Sequence, residues 1–179
     1  MTPPAKRILA LDLALETGWA HSCGESGIWH LGIGDSEHAG NRLVRLEGRI
    51  MAMHLEWGID QVAFEVAAYG SHHANTRQFH DQVMGVVLLS AAKICAPWVG
   101  YSPTEIKKFW TGHGQADKAA MIRACQTFLG RTVTNDNEAD ALAILELAKH
   151  QATSKLAAAI EKKTKRPRPA KQMKLGYQP

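Results

Sequence analysis

Arg7 to Leu13 (RILALDL) is a short apolar run holding one acid, the pattern of a buried strand. Thr17–Cys23 and Ser26–Gly32 are two further strand-length runs, and Gly24-Glu25 between them suits a tight turn. The first three strands therefore read as a meander. Then the period changes. Between residues 40 and 57, Leu43, Leu46, Ile50, Met53 and Trp57 fall at alternating steps of three and four, one stripe of a helix laid on the sheet. Alternation returns in Gln61–Val66, where Val62, Phe64 and Val66 share one face and Glu65 takes the other. Thr76–Cys95 reads as a long helix stopped before Pro97, and Trp98–Tyr101 as a short last strand. A helix from about Ala116 to Leu129 puts Met121, Ile122, Cys125, Phe128 and Leu129 on one side, with Gly130 just past its end. The final helix begins near Asp136 and carries EADALAILELAKH. A meander followed by alternating helices and strands predicts an α/β domain: a mixed five-stranded sheet, three strands antiparallel and two joined by helical crossovers, with helices on both faces.

Charge divides the chain. Residues 161–179 hold seven of the 21 basic residues and one of the 17 acidic ones, so residues 1–160 carry 14 and 16. The body is thus net −2 and the tail +6. We expect one domain over 1–160 and a flexible basic tail over 161–179, either attracted to polyanions or simply solubilising. The longest apolar stretch, Val83–Ala92, stops at Lys93, short of the roughly 18 residues of a membrane span. MTPPAKR lacks an apolar signal core, and Cys23, Cys95 and Cys125 are odd in number and widely spaced, so a reducing cytoplasm is expected.

Acids inside apolar segments need an explanation. Asp12 lies in one hydrophobic strand and Glu65 in another; Asp136 and Asp140 head a hydrophobic helix, four residues apart on one face. A buried carboxylate costs several kcal/mol, in order of magnitude about 2–5, unless it is paired or binds a metal. Acids from two strands and one helix can converge on hard divalent cations. Two such ions activate water and stabilise the leaving oxygen in phosphodiester hydrolysis. The competing explanations are a helix-dipole role for Asp136 and unseen Lys or Arg partners for Asp12 and Glu65. Lys107, Lys108 and Lys118 flank Thr111-Gly112-His113-Gly114, a loop opening a helix, where a phosphate could bind; a solvated helix face is the alternative. Tyr69, Ser71 and His72 follow Glu65 at the mouth of this site, and an aromatic there could stack on an unpaired base. His72, His73 and His80 have no nearby Cys and no repeated spacing that would suggest zinc.

ILALDLALETGWA, VAFEVAAYG and NEADALAIL, with PTEIKKFWTGHGQADKAAM between the last two, resemble the RuvC-type Holliday junction resolvases, compact phage-like members of the RNase H-like nucleases. The resemblance spans residues 8 to about 148 and leaves out the tail. It implies an RNase H-like fold, a Mg2+-dependent endonuclease with two ions per site (Mn2+ a candidate substitute), branched DNA as substrate, and a homodimer that nicks two opposite strands. It also implies no membrane and no small-molecule cofactor, and a bacterial cytoplasm, with phage or prophage origin left open. Asp12, Glu65 and Asp140 match the family's acids. Two departures stand out: Leu13-Ala14 replaces a frequent Pro-Gly, and Asn137 stands where the family has an acid or His. Asp136 can supply the missing ligand, with Asn137 and Glu138 as alternatives. Rival functions are a non-catalytic branched-DNA binder on the same fold and a less selective fork or flap nuclease. An actin-like ATP-binding protein ranks last, because that architecture needs two lobes and the body supplies one.

Overall fold

The computed structural model describes residues 6–32, 34, 37–66, 74–130 and 133–164. Its strands are β1 (Ile8–Asp12), β2 (Glu16–His21), β3 (Ser26–His30), β4 (Gln61–Glu65) and β5 (Trp98–Tyr101). The helices are α1 (Asn41–Trp57), α2 (Ala74–Lys93), α3 (Pro103–Thr111), α4 (Lys118–Leu129) and α5 (Asp136–Thr164). The sheet order is β3-β2-β1-β4-β5. β1 pairs antiparallel with β2 and β2 with β3, while β4 runs parallel to both β1 and β5. This is the expected mixed sheet, with its meander at one side and its crossovers at the other.

Two cores lie on the two faces. Leu9, Leu11, Val62 and Phe64 pack with Leu46, Ile50 and Met53 of α1 and Val83 and Val87 of α2. Ile8, Ala10, Ala20 and Ala63 pack with α5, Ile106 of α3, and Met121 and Cys125 of α4. The predicted α1 stripe is the buried one, and Leu43 and Trp57 pack at its ends. Small residues dominate the sheet beneath α5, where Ala139 and Ala143 also face inward. Without bulky side chains between them, helix and sheet can approach closely.

Three elements depart from the sequence reading. α3 is absent from the sequence reading although Ile106, Phe109 and Trp110 recur at helical spacing in it; a local signal starts it. The Ser102 side chain accepts from the Glu105 backbone N–H while Glu105 accepts from Ser102 N–H, with Pro103 in the first turn. α5 continues to Thr164, past the boundary at 160 expected for the body. Phe128, placed with Met121 and Cys125 on one side of α4, is 62% exposed and makes a T-shaped ring contact with Trp110 at 5.2 Å, while Met121 and Cys125 are buried. Among the described residues no helix is long and apolar enough to cross a membrane. The basic tail beyond residue 164 lies outside the described residues.

Candidate active site

Strand alternation decides which acids can meet. Ile8 and Ala10 point to the α5 side of the sheet and Leu9 and Leu11 to the other, so Asp12 continues the α5 series. In β4, Ala63 faces α5 while Val62 and Phe64 face away, which turns Glu65 toward α5 as well. β1 and β4 are parallel neighbours with Leu11 beside Phe64, so both acids stand at the carboxyl ends of adjacent strands. Open α/β sheets bind ligands at that edge. The first turns of α5 cross it and bring Asp140 and Asp136 over the two strand acids.

The placement of α5 is built from the meander side. Asn135 caps the helix, its side-chain oxygen accepting from the N–H groups of Asn137 (2.9 Å) and Glu138 (3.3 Å). Asn137 Nδ2 donates to the Glu16 carbonyl at 2.7 Å, and Ser26 Oγ donates to Glu138 Oε1 at 2.6 Å. Gly18 completes the contact: a Cβ there would lie 1.8 Å from the Asn137 carbonyl oxygen. With Asn137 and Glu138 turned to β2 and β3, the same helical turn presents Asp136 and Asp140 to the opposite side.

A cleft of about 210 Å³ lies there, lined by Glu65, Ile106, Lys107, Lys118, Asp136 and Asp140 among others. Asp12, half-buried, adjoins it through its charge interactions with Asp140, Glu65 and Asp136. Burial first, and then these three negative charges, push the Asp12 carboxyl up to about 8. Glu65 is raised to about 7 by burial and then Asp140. Asp140 is raised to about 6 by burial and then Asp136, against the pull of Lys118 and Lys107. Asp136 goes the other way, held below its ordinary value first by a hydrogen bond from Lys118. Among the described residues no Lys, Arg or His forms an ion pair with Asp12, Glu65 or Asp140.

The structure thus gathers Asp12, Glu65, Asp140, Asp136, Lys107 and Lys118 at one place. Lys108 is exposed and takes no part in the lining. The expected phosphate site at the start of α4 has a competitor, because the Asp117 carboxylate caps that helix by accepting from Ala120 N–H at 2.7 Å. Tyr69, Ser71, His72 and His73 fall outside the described residues. Sequence reasoning missed the seating of α5. Its signals were a glycine inside a strand, which marks a close backbone approach, and an Asn immediately before the helix.

All four acids offer oxygen, the donor that hard divalent cations take. A half-buried set of carboxylates with unmatched negative charge fits such ions electrostatically. Among the described residues, no three His, Cys, Asp or Glu side chains already close into a metal cage. Mutual repulsion of the carboxylates opposes closure without a counter-ion.

A mixed five-stranded sheet with acids at the ends of its two central parallel strands, opposed by acids on a helix laid across them, defines the RNase H-like class. Residues 25–147 match the family model described as crossover junction endodeoxyribonuclease RuvC. The RuvC of Salinispora arenicola is 36% identical over 126 residues, 68% of this chain and 71% of the relative. That of Ruegeria pomeroyi is 34% identical over 148 residues, 77% and 87% of the two chains. A solved structure of Thermus thermophilus RuvC in complex with Holliday junction substrate superposes with a TM-score of 0.66 at 21% identity, covering 78% of this chain and 90% of that one. The chain belongs to the RuvC crossover junction endodeoxyribonuclease family.

Proposed function

We propose that this protein resolves four-way DNA junctions by paired nicks, with Asp12, Glu65, Asp140 and Asp136 holding two Mg2+ ions and Mn2+ able to substitute. One observation carries the reading. Asp12 of β1, Glu65 of β4 and Asp140 of α5 face one another with raised proton affinity, and of the four site acids only Asp136 has an ion-pair partner among the described residues. A non-catalytic DNA binder has no use for such a cluster. Bound there, two divalent cations would activate a water and stabilise the leaving oxygen of a phosphodiester. The protein supplies the rest. Glu65 and Asp12, fixed by the strand ladder, set the floor of the site, and the seated α5 sets its opposite wall. Lys107 and Lys118 line the cleft and give it positive charge for a phosphate. Their charge attracts DNA without reading its bases.

Paired nicks require two equivalent sites, which an isologous dimer provides. α2 supports that reading. Val83, Val87 and Ala91 are buried under α1 and the sheet, yet Leu89 on the outer side is 51% exposed. A helix that is apolar on more than one side has a further face to cover.

The test is cleavage of a labelled four-way junction beside linear duplex and forked DNA, in Mg2+ or EDTA, with Asp12→Asn in parallel. Metal-dependent paired nicks in the junction, lost in the variant while binding persists, are the expected result. Equal cutting of forks would replace the resolvase with a general branched-DNA nuclease. Tight junction binding without cutting in either Mg2+ or Mn2+ would leave only the binder.

A further inference from the structure

Lys118 and Asp136, both in the lining of the cleft, form an ion pair. The lysine is the first residue of α4 and its side chain is 80% exposed, so a long flexible stem carries the ammonium with little packing to restrain it. Its charge also acts on Asp12 and Asp140. A monovalent cation of the protein's own thus lies against one carboxylate of a cluster that fits divalent ions. The same ammonium lines the cleft together with Lys107, so an incoming phosphate has two cations to meet there.

Building on the two-cation reading above, we propose that Lys118 is an internal stand-in for a cation: in the DNA-free protein it occupies Asp136, and a DNA phosphate that draws the ammonium away releases Asp136 to a metal ion. Nucleic acid and divalent cation therefore load cooperatively. Lys118 is a positioning residue in this scheme, acting through Asp136. A carboxylate holding an ammonium is a poorer ligand, because a cation must displace the lysine before it can bind there. Linkage makes the effect reciprocal, so a bound cation tightens DNA by the same factor that DNA tightens the cation. The solvent exposure of the pair keeps the coupling small, about three- to fivefold, the scale of an exposed ion pair. A weak lock suits an enzyme that must open it in every cycle. It also withholds the full metal site from a protein that has no substrate.

Mn2+ binding, followed by the EPR signal of the free ion, tests the proposal without reference to activity. Lys118→Gln should bind Mn2+ about three- to fivefold more tightly than the wild type, whereas Lys118→Arg, which can keep the pair, should not. In an Asp136→Asn background the same Lys118→Gln change should have little effect. A four-way junction with phosphorothioates at its centre, which keep the charge and slow hydrolysis, should tighten Mn2+ binding in the wild type but not in Lys118→Gln. Equal or weaker binding by Lys118→Gln would overturn the lock. So would a tightening of unchanged size in the Asp136→Asn background, since Lys118 would then act only as a diffuse positive charge. If neither the wild type nor Lys118→Gln takes up Mn2+, the two-cation reading itself fails.

Discussion

Asp12, Glu65 and Asp140 are the residues whose state depends most on what else occupies the cleft. Each is raised toward or beyond neutrality, to about 8, 7 and 6, chiefly by burial and then by negative neighbours. A carboxyl raised on folding binds more protons in the native than in the unfolded chain between its two pKa values. Its contribution to stability is therefore full below about pH 4 and is lost as pH climbs through the folded values. The metal-free protein should accordingly lose stability between about pH 4 and 8. Asp12→Asn, which cannot ionise, should be more stable than the wild type at pH 8 in EDTA, on the order of 1–3 kcal/mol, with the gap closing near pH 4. Urea denaturation at the two pH values measures this, and an unchanged gap would show that Asp12 is not buried among like charges. Divalent cations compete with the same protons, so Mn2+ binding near pH 6.5 should release protons. Calorimetry in buffers of different ionisation enthalpy would register them.

At the scale of elements, the site depends on how α5 meets β2. Gly18→Ala would drive a methyl into the backbone of Asn137, which cannot rotate away as a side chain could. We expect a stability loss of roughly 2 kcal/mol or more from such overpacking, with weaker Mn2+ binding as Asp136 and Asp140 shift. Thermal unfolding and the EPR titration read the two effects separately. Asn137→Ala removes the hydrogen bond to Glu16 O and should weaken the seating by about 1 kcal/mol. Asn137→Asp should do no better, because a carboxylate there would face a carbonyl oxygen with no proton to share. If Asn137→Asp instead raised Mn2+ affinity, the side chain would be reaching the metal site and its pairing with Glu16 would be incidental.

For the whole molecule, the expected outcome is a dimer in solution. Leu89→Lys should shift it toward monomer in sedimentation experiments by placing a charge on an apolar outer face of α2, while the monomer stays folded because Leu89 does not belong to the core. A dimer unaffected by this change would place the interface elsewhere.

The architecture was legible in the sequence because the two periods of buried surface, two for strands and 3.6 for helices, are written locally. The stripe from Leu43 to Trp57 and the alternation in Gln61–Glu65 needed no tertiary information. The same alternation set Glu65 opposite Val62, Phe64 and Val66, and an apolar run that keeps an acid, as Arg7–Leu13 keeps Asp12, announces a site. Other features exist only once distant segments are brought together. Asn137 and Glu138 take hydrogen-bond partners on β2 and β3, more than a hundred residues away along the chain, which no local pattern could indicate. The Lys118–Asp136 pair likewise depends on how α4 docks against α5. Local sequence encodes period and polarity, which set elements and faces. Which polar group satisfies which, and so which acid remains for a cation, depends on through-space distances that folding alone establishes.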